Sequence, residues 1–444
     1  MKSKNYRTAF IFLTALFFLW GFITVLVDSL IPRLREIFEL SYFQSGMVQF
    51  AFFGAYFLLS IPSGYILSRI GYKKGIILGL STMALGCLLF YPAASYRIFG
   101  IFMLGYFTLA AGITILQVAA NPYVTILGPE ETASSRLNLS QAFNSLGTAI
   151  APALGALFIL QDRVKTTAEI EGLDSAAQQS YYIAEASAVQ VPFLGIAAFI
   201  TIIALFFFFV KLPKVNDSKA SNDYTKVLKN QNLILGAIGI FCYVGAEVSL
   251  GSYMVNYFLN LELAETVRST SFMRTMAGWI LTSGVTTSSD MAVVGVFVTF
   301  YWTGAMIGRF IGSYLTSIFN PAKVLSFFAL GAITMILVSI SLVGLPAMWA
   351  IIAVGLFNSI MFPTIFSLAL KGLGSDKPQG SGILCTMIVG GAIIPPAYGF
   401  LIDSFNFNIA FILIMCCYGY ILFYAYNNKR KMMINQSLKV EPGL

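Results

Sequence analysis

The chain contains twelve apolar stretches, six on each side of a lysine-bearing polar segment near its middle. A bilayer core about 30 Å thick requires about 20 mostly apolar residues for a helix to cross it, and this length recurs in every stretch. Hydrophobic residues make up 58% of the 444 residues and charged residues only 10%, a balance unlike that of soluble enzymes. The sequence therefore predicts an all-α membrane protein with twelve transmembrane helices.

The predicted spans follow the apolar stretches and are 8–32, 43–67, 75–94, 98–127, 137–160, 189–211, 232–260, 291–315, 322–343, 346–371, 380–402 and 406–426. Lys and Arg indicate their orientation. If both termini lie inside, the inner segments carry 20 of the 27 basic residues. Because basic loops are retained on the cytoplasmic side, we expect both termini in the cytoplasm and the protein in the cell membrane.

The residue inventory argues against several kinds of chemistry. The chain has no histidine, which removes histidine metal sites and serine-histidine catalysis together. All five cysteines fall inside predicted spans, where they act as small apolar residues. The net charge of +8 comes from basic residues scattered among short loops, which indicates topology rather than a nucleic-acid surface. We therefore expect no enzyme, no bound metal or cofactor and no nucleic-acid partner.

The two groups of six spans indicate an internal duplication. The segment 212–230 is the longest strongly polar stretch on the inner side and is the predicted linker. It would join an N-terminal six-helix bundle, 1–211, to a C-terminal six-helix bundle with a short cytoplasmic tail, 231–444.

Two short motifs also point to duplication. Two small residues four apart are followed by an arginine at the end of the second span and again near the end of the eighth. These residues are Gly64, Ser68 and Arg69, and Gly304, Gly308 and Arg309. Small residues at this spacing let helices approach closely, and the arginines are expected to mark the inner boundary.

The inner loop after the second span carries a family resemblance. It reads Gly64, Ser68, Arg69, Gly71, Lys73 and Lys74. This resembles the major facilitator superfamily, in which a glycine is followed by Asp-Arg and then by a glycine and basic residues. Ser68 replaces the aspartate, so the gating salt bridge usually assigned to that aspartate is in doubt. The simpler alternative is a loop that is basic only because it lies inside. The resemblance implies the major facilitator fold of two six-helix bundles.

Two carboxylates inside the spans are the main candidates for function. A charge at the centre of a membrane helix costs at least about 2.5 kcal/mol and persists mainly where it faces a cavity or a partner. Asp28 lies in the outer half of the first span, and Glu247 lies near the middle of the seventh. Alternatively, Asp28 pairs with Arg33 or Arg35 at the membrane boundary, and Glu247 has a purely structural partner.

Each carboxylate shares a helix face with small or aromatic residues at three-and-four spacing. The two faces are Gly21, Thr24 and Asp28 on the first span, and Tyr243, Glu247 and Gly251 on the seventh. On the first span, this spacing predicts a notch of small residues that leads to the acid and lines a cavity.

Neutral polar residues form a second layer of candidates. Gln117 and Asn121 lie on the fourth span, and Asn138, Gln141, Asn144 and Thr148 form a stripe on the fifth. Such amides donate and accept hydrogen bonds, as sugar hydroxyls require, and aromatic rings cover the apolar faces of a sugar. The remaining candidates are Phe17, Trp20, Tyr56, Tyr253, Phe357, Asn358 and Phe362. The alternative for a polar stripe is that it holds helices together.

Prolines are predicted to interrupt two spans. Pro122 lies in the fourth span, and Pro395 with Pro396 lies in the eleventh, close to Gly390. Proline frees backbone carbonyls and bends helices, and such breaks are often placed at moving or ligand-facing parts of membrane carriers.

Longer runs narrow the resemblance. The run from Gln117 to Tyr123, followed by Leu127, Gly128 and Pro129, is similar to the fourth helix of the fucose/glucose/galactose symporters within that superfamily. Other similar runs are Phe17–Gly21 through Asp28–Pro32, Asn138–Gly147, Phe362–Leu368 and the glycines at 390 and 391. The resemblance therefore covers both halves of the chain.

This resemblance implies residue roles. Asp28 corresponds to the family's first-helix aspartate, which takes up a proton, and Gln141 and Asn144 fall on its sugar-facing fifth helix. The fucose-type members have a glutamate where this chain has Gln117, so one titratable group of that pair is missing. Glu247 then becomes of interest as a second acid or a sugar acceptor. Together with the run Tyr243–Ser249, the glutamine looks more like the glucose/galactose branch.

The expected function is hexose uptake by alternating access, in which the halves rock about a central site. Asp28 would be neutralised by a cation before the loaded cavity closes, since an unpaired buried carboxylate opposes closure. A proton suits a lone carboxylate, and sodium, which needs several oxygen ligands, is the alternative. Competing classes are an uncoupled sugar carrier, an efflux carrier for amphipathic compounds and a non-transporting sugar receptor. The expected partners are the sugar and the lipid bilayer, with the protein as a monomer.

Overall fold

The structure is a computed structural model that describes residues 2–37, 42–158, 172, 174–213, 224–281 and 284–440. Side chains are described throughout these ranges except at 2–5, 28–37, 42–47, 49, 153–158, 182, 185–189 and 431–440. Within the described ranges, α-helices and short 3₁₀ segments form all the regular structure, and no β-strand occurs.

The described helices run through nearly the whole length of the chain. They are α1 (Lys2–Ile37), α2 (Tyr42–Ile70), α3 (Tyr72–Tyr96), α4 (Phe99–Ile126), α5 (Ala133–Phe158), α6 (Ser175–Phe209), α7 (Tyr224–Leu228), α8 (Gln231–Asn260), α9 (Leu263–Ser269), α10 (Ser271–Gly278), α11 (Asp290–Gly295), α12 (Val298–Ile318), α13 (Pro321–Ser341), α14 (Leu345–Asn358), α15 (Met361–Ala369), α16 (Lys377–Thr386), α17 (Gly390–Ser404) and α18 (Phe407–Val440). The 3₁₀ segments are Glu130–Thr132, Gly374–Asp376 and Met387–Val389.

Eleven helical segments in the described part of the chain are long and apolar enough to cross a membrane. They coincide with eleven of the twelve predicted spans. The remaining prediction, 137–160, falls on α5, which is not among the eleven. The all-helical membrane fold is therefore confirmed, while the count of twelve and the location of the termini stay predictions.

Three of the spans are broken helices. The eighth span consists of α11 and α12 on either side of a turn at 296–297, and the tenth consists of α14 and α15 on either side of a turn at 359–360. The eleventh consists of α16 and α17 on either side of Met387–Val389. The break in the eleventh span precedes Pro395 and Pro396, which lie inside the continuous α17, so its predicted position is wrong. Pro122 likewise lies inside the continuous α4. A proline removes one helical hydrogen bond, and the remaining bonds keep these helices intact.

Two segments between spans are also helical. α6 begins well before the predicted sixth span, and the Asp174 side chain caps it by accepting a hydrogen bond from the backbone N–H of Ala177 at 2.7 Å. Between α8 and α12, Arg268 pairs with Asp290 at 2.7 Å and donates to the carbonyl of Ser288 at 3.0 Å. These contacts tie the connection that contains α9 and α10 to the start of α11, where the eighth span begins.

Packing divides the chain into two compact units. Unit 1 comprises Met1–Gly128, Phe143–Val227 and Gly372–Thr386, and unit 2 comprises Pro129–Ala142, Leu228–Lys371 and Met387–Leu444. The first turns of α5 thus pack in unit 2, and α16 packs in unit 1. The two six-helix bundles, 1–211 and 231–444, and the linker between them stay a prediction from the sequence.

Candidate functional site

A buried ion pair occupies the interior of unit 2. The Oε1 atom of Glu247, midway along α8, lies 3.7 Å from Nη2 of Arg309 in α12, and each side chain is only 15% exposed. Two charges removed from water are tolerated when they compensate each other, whereas one alone would be costly. The pair therefore explains how a carboxylate persists in the middle of the seventh span.

A helix break provides a second partner for the arginine. Nε of Arg309 donates to the carbonyl oxygen of Ser359 at 3.1 Å, at the turn between α14 and α15. In an intact helix this carbonyl would accept from the residue four positions on, which is Pro363 and has no N–H. The proline thus leaves an acceptor that the guanidinium uses.

Arg309 was expected to mark an inner boundary, and this expectation needs correction. The residue lies near the middle of α12 and is directed to Glu247 rather than to the helix end. A Cβ atom at Gly308 would lie 2.4 Å from Oγ of Ser359 and 2.5 Å from the carbonyl oxygen of Leu356. The small residue before Arg309 therefore brings α12 against the broken helix. The second and eighth spans share the spacing of these residues, but their arginines have different surroundings.

Hydroxyl and amide groups surround the ion pair. The Asn358 amide nitrogen donates to the Tyr301 hydroxyl at 2.8 Å, and both residues are fully buried. Tyr418 is buried beside Tyr301 and Glu247. Within the described part of the chain, Oε1 of Glu247, Oδ1 of Asn358 and the hydroxyl of Tyr418 are buried without a hydrogen-bond partner. Each such group costs about 1–3 kcal/mol unless a ligand or water satisfies it, so the cluster has unused capacity to bind polar groups.

Aromatic rings adjoin this cluster. The ring of Tyr243, one turn before Glu247, lies 6.3 Å from the ring of Phe362, and both residues are buried. Tyr253 instead packs against Tyr398 at 5.5 Å, and its hydroxyl would meet a Cβ atom at Gly399. Tyr243 and Phe362 are therefore placed beside the polar groups, whereas Tyr253 holds α8 against α17.

The predicted notch on α1 is covered by α5 within unit 1. A Cβ atom at Gly21 would lie 2.4 Å from the Asn144 carbonyl oxygen, and the Asn144 amide nitrogen donates to the carbonyl of Phe17 at 2.9 Å. Thr24 donates to the carbonyl of Trp20 at 2.9 Å. At this level the small-residue face joins two helices, and the expectation that it lines a cavity is wrong for Gly21.

Other predicted residues of unit 1 are buried in α1 and α4. Trp20 is 7% exposed and lies 5.4 Å from the ring of Phe17. Asn121 is fully buried, and Gln117 is 8% exposed with its Oε1 atom unpartnered among the described residues. Asp28 lies in α1, and its side chain falls outside the described side chains.

Part of the polar stripe of α5 forms hydrogen bonds to a neighbouring helix. The Asn138 amide nitrogen donates to the Thr364 hydroxyl at 3.1 Å, and Ser134 and Ser367 share a hydroxyl contact at 2.6 Å. These bonds hold the first turns of α5 to α15 inside unit 2, as the helix-joining alternative predicts. Gln141, one turn further along, is buried in the same unit.

The loop after the second span has a tight geometry. Arg69 hydrogen-bonds the hydroxyl of Tyr65 and lies 4.2 Å from its ring centroid, and no ion pair of Arg69 is found in the described chain. Gly71 has φ of +78°, a conformation that favours glycine. A Cβ atom at Gly64 would lie 2.7 Å from the carbonyl of Pro378, so α2 and α16 approach closely there. At Gly64 the two helices therefore meet without a side chain between them, and Ser68 donates to the carbonyl of Tyr65 within α2 at 2.7 Å.

Apolar helices long enough to cross a bilayer, with a charged and polar cluster buried among them, define a polytopic membrane protein with a polar interior. The chain belongs to the Major Facilitator Superfamily, whose sequence profile matches residues 8–377. The resemblance noted from the inner loop is thereby confirmed.

Relatives and solved structures agree with this assignment. The chain is 49% identical over 427 residues to the glucose/galactose transporter of Brucella abortus, covering 96% of this chain and 95% of that protein. It is 34% identical to the L-fucose-proton symporter of Escherichia coli, covering 96% and 94%. The crystal structure of the transporter FucP in the outward conformation matches with a TM-score of 0.83, 32% identity and coverage of 96% and 99%.

Proposed function

We propose that this chain takes up a hexose of the glucose or galactose type by alternating access coupled to a cation, with the proton as the favoured ion. The names of the Brucella abortus and Escherichia coli relatives support the substrate class and the coupling. The observation that carries the proposal is the polar cluster of unit 2, in which buried acceptors lack partners beside aromatic rings.

The geometry suggests a sugar-binding role for Glu247. Its 3.7 Å separation from Arg309 exceeds the 2.7–2.9 Å typical of a charge-assisted hydrogen bond, so the carboxylate can still accept from a hydroxyl group. Oδ1 of Asn358 offers a second acceptor. The rings of Tyr243 and Phe362 would cover the apolar face of a pyranose.

The same ion pair makes Glu247 a poor carrier of the coupling proton. Protonation of Glu247 would leave the charge of Arg309 buried and uncompensated. Gln117 has no titratable group. We therefore assign the coupling role to Asp28. The rest of the proposal comprises twelve helices, cytoplasmic termini, a monomer in the bilayer and no cofactor beyond the coupling ion.

The test is transport of radiolabelled glucose and galactose in proteoliposomes under an imposed proton or sodium gradient. The variants are Asp28→Asn and Glu247→Gln, with Asp403→Asn as a control at an exposed carboxylate near the end of α17. We expect a proton gradient to drive uptake in the wild type and the control. Asp28→Asn should abolish gradient-driven uptake yet retain exchange of internal for external sugar, and Glu247→Gln should weaken both.

Other outcomes would overturn parts of the proposal. Uptake driven only by sodium would replace the ion, and exchange that ignores both gradients would indicate an uncoupled carrier. Absence of any hexose exchange by a folded wild-type protein would reject the sugar assignment and favour an efflux carrier.

A further inference from the structure

A groove lies on the surface of unit 2 between α13 and α18. Its volume is about 670 Å³, and the residues that line it include Lys323, Ser326, Gly419, Phe423, Tyr426 and Lys429. Phe423 is 54% exposed and Tyr426 62% exposed, so the groove opens outward from the helices. It does not include the Glu247 cluster, and hexose binding does not account for it.

The two lysines lie at the same edge of the predicted membrane region. Lys323 is the third residue of α13, whose candidate span starts at its first residue, and Lys429 lies three residues beyond the predicted twelfth span 406–426. α13 and α18 pack against each other, and the start of α13 and the region of α18 around Lys429 line the same groove. The orientation predicted from basic residues places this edge at the cytoplasmic leaflet.

The groove has the depth of one lipid leaflet. Gly419 precedes Lys429 by ten residues of continuous helix, which is about 15 Å at about 1.5 Å per residue. The hydrocarbon core is about 30 Å thick, so the lining reaches from the headgroup region to about the bilayer centre.

The end of the groove at the predicted cytoplasmic edge is electropositive. Lys323 and Lys429 contribute two cations, and no carboxylate is found among the described residues that line the groove. Lys323 also lies in the first turn of α13, where the helix dipole disfavours a positive charge. The hydroxyl groups of Ser326 and Tyr426 add hydrogen-bond donors. This combination suits a phosphate group.

The end of the groove toward the bilayer centre, around Gly419, is apolar. Gly419 carries no side chain, and a Cβ atom added there would find no heavy atom within 4 Å. The exposed ring of Phe423 forms one wall. A slot of this kind matches an acyl chain, and filling it would not disturb the surrounding packing.

We propose that the groove between α13 and α18 binds an anionic phospholipid of the cytoplasmic leaflet. The phosphate lies between Lys323 and Lys429, and an acyl chain follows Gly419 and Phe423. The lysines complement a negatively charged headgroup, and the apolar part of the groove is long enough for an acyl chain in one leaflet. A free phosphate ion would use only the lysines and would leave the apolar part empty.

The test is native mass spectrometry of the purified protein titrated with dioleoyl phosphatidylglycerol or dioleoyl phosphatidylcholine. Variants are Lys323→Gln with Lys429→Gln, and Gly419→Leu. The controls are Lys226→Gln with Lys371→Gln, which remove two exposed charges elsewhere, and Gly195→Leu, another glycine whose Cβ would meet nothing. Size-exclusion profiles establish that each variant is folded.

We expect the wild type to bind phosphatidylglycerol in preference to phosphatidylcholine. Loss of both groove lysines should weaken phosphatidylglycerol binding about 30-fold, since a lysine near an anionic surface contributes about 1 kcal/mol. Gly419→Leu should weaken it while all charges remain, and both controls should bind as the wild type does.

Three results would overturn the proposal. The Lys323/Lys429 variant and the Lys226/Lys371 control could weaken binding equally, which would show that the groove lysines only help to orient the protein in the membrane. The wild type could bind both lipids equally. Alternatively, Gly419→Leu could leave binding unchanged while glycerol 1-phosphate displaces the lipid, which would assign the groove to a soluble phosphate.

Discussion

The carbonyl oxygen of Ser359 accepts a hydrogen bond from Nε of Arg309 at 3.1 Å because Pro363 supplies no N–H to occupy it. One proline thereby positions the arginine that compensates Glu247. The backbone break and the buried charge are parts of one arrangement.

Replacing this proline tests the arrangement directly. Pro363→Ala restores an N–H that competes with Arg309 for the Ser359 carbonyl. We expect hexose exchange to fall about tenfold, the effect of about 1.4 kcal/mol lost from the positioning of one group. Pro346→Ala is the matched control, because Pro346 lies in the first turn of α14, where no helical bond is lost. Equal rates for both variants would disconnect the break from the site.

The ion pair between Glu247 and Arg309 predicts strong non-additivity. Glu247→Gln or Arg309→Gln leaves one buried charge uncompensated and should destabilise the protein by about 3–5 kcal/mol. The double variant should recover much of that loss. Thermal unfolding in detergent measures the stability of all four proteins. Sugar binding should stay impaired in the double variant, and its full recovery there would argue that the pair is only structural.

The close approach of α12 to the broken helix predicts different effects for two glycines four residues apart. At Gly308 a Cβ atom would meet Ser359 at 2.4 Å and Leu356 at 2.5 Å, whereas at Gly304 the nearest atom is 3.4 Å away. Gly308→Ala should therefore lower stability by about 1–3 kcal/mol through overpacking. Gly304→Ala should stay near neutral in the same unfolding assay. Similar losses at both positions would show that crowding at Ser359 is not decisive.

The helical end of the linker, α7, is bonded to α2 through the hydroxyl group of Tyr224. Tyr224 in α7 donates to the carbonyl of Ile61 at 2.8 Å. Tyr224→Phe should raise the population with a released linker about threefold to tenfold, since such a bond contributes about 0.5–1.5 kcal/mol. Limited trypsin cleavage after Lys226 and Lys229 measures this population, and Tyr96→Phe at an exposed ring is the control. Unchanged cleavage would place the restraint elsewhere.

The same contact has a predicted pH dependence. Burial raises the pKa of the Tyr224 hydroxyl to about 12, above the value of about 10 for an unfolded chain. A raised pKa means that the stabilisation is complete below about pH 10 and is lost as the pH rises through about 12. Cleavage should therefore stay constant from neutral pH to about 10. A change near pH 7 would contradict the assignment to this tyrosine.

The sequence predicted the helical membrane fold and the unusual carboxylate because both depend on the cost of removing polar groups from water. It misassigned Arg309, since the spacing that matched Arg69 carries no information on which way a side chain points. Tyr301 and Tyr418 were missed because the chain has 22 tyrosines and their partners lie on distant helices. The break in the tenth span was also missed, although Pro363, four residues after the exposed carbonyl of Ser359, could have indicated it. Pro395 and Pro396, which were expected to interrupt the eleventh span, lie inside the continuous α17.

α6 begins at Ser175, about fourteen residues before the sixth span 189–211 that the sequence predicts. At about 1.5 Å per residue, this extension measures about 21 Å. A helix that leaves the bilayer without interruption is a rigid handle. An antibody fragment raised against its exposed N-terminal turns would report the orientation of the sixth span, and it would add particle mass for imaging a protein that is mostly embedded in lipid.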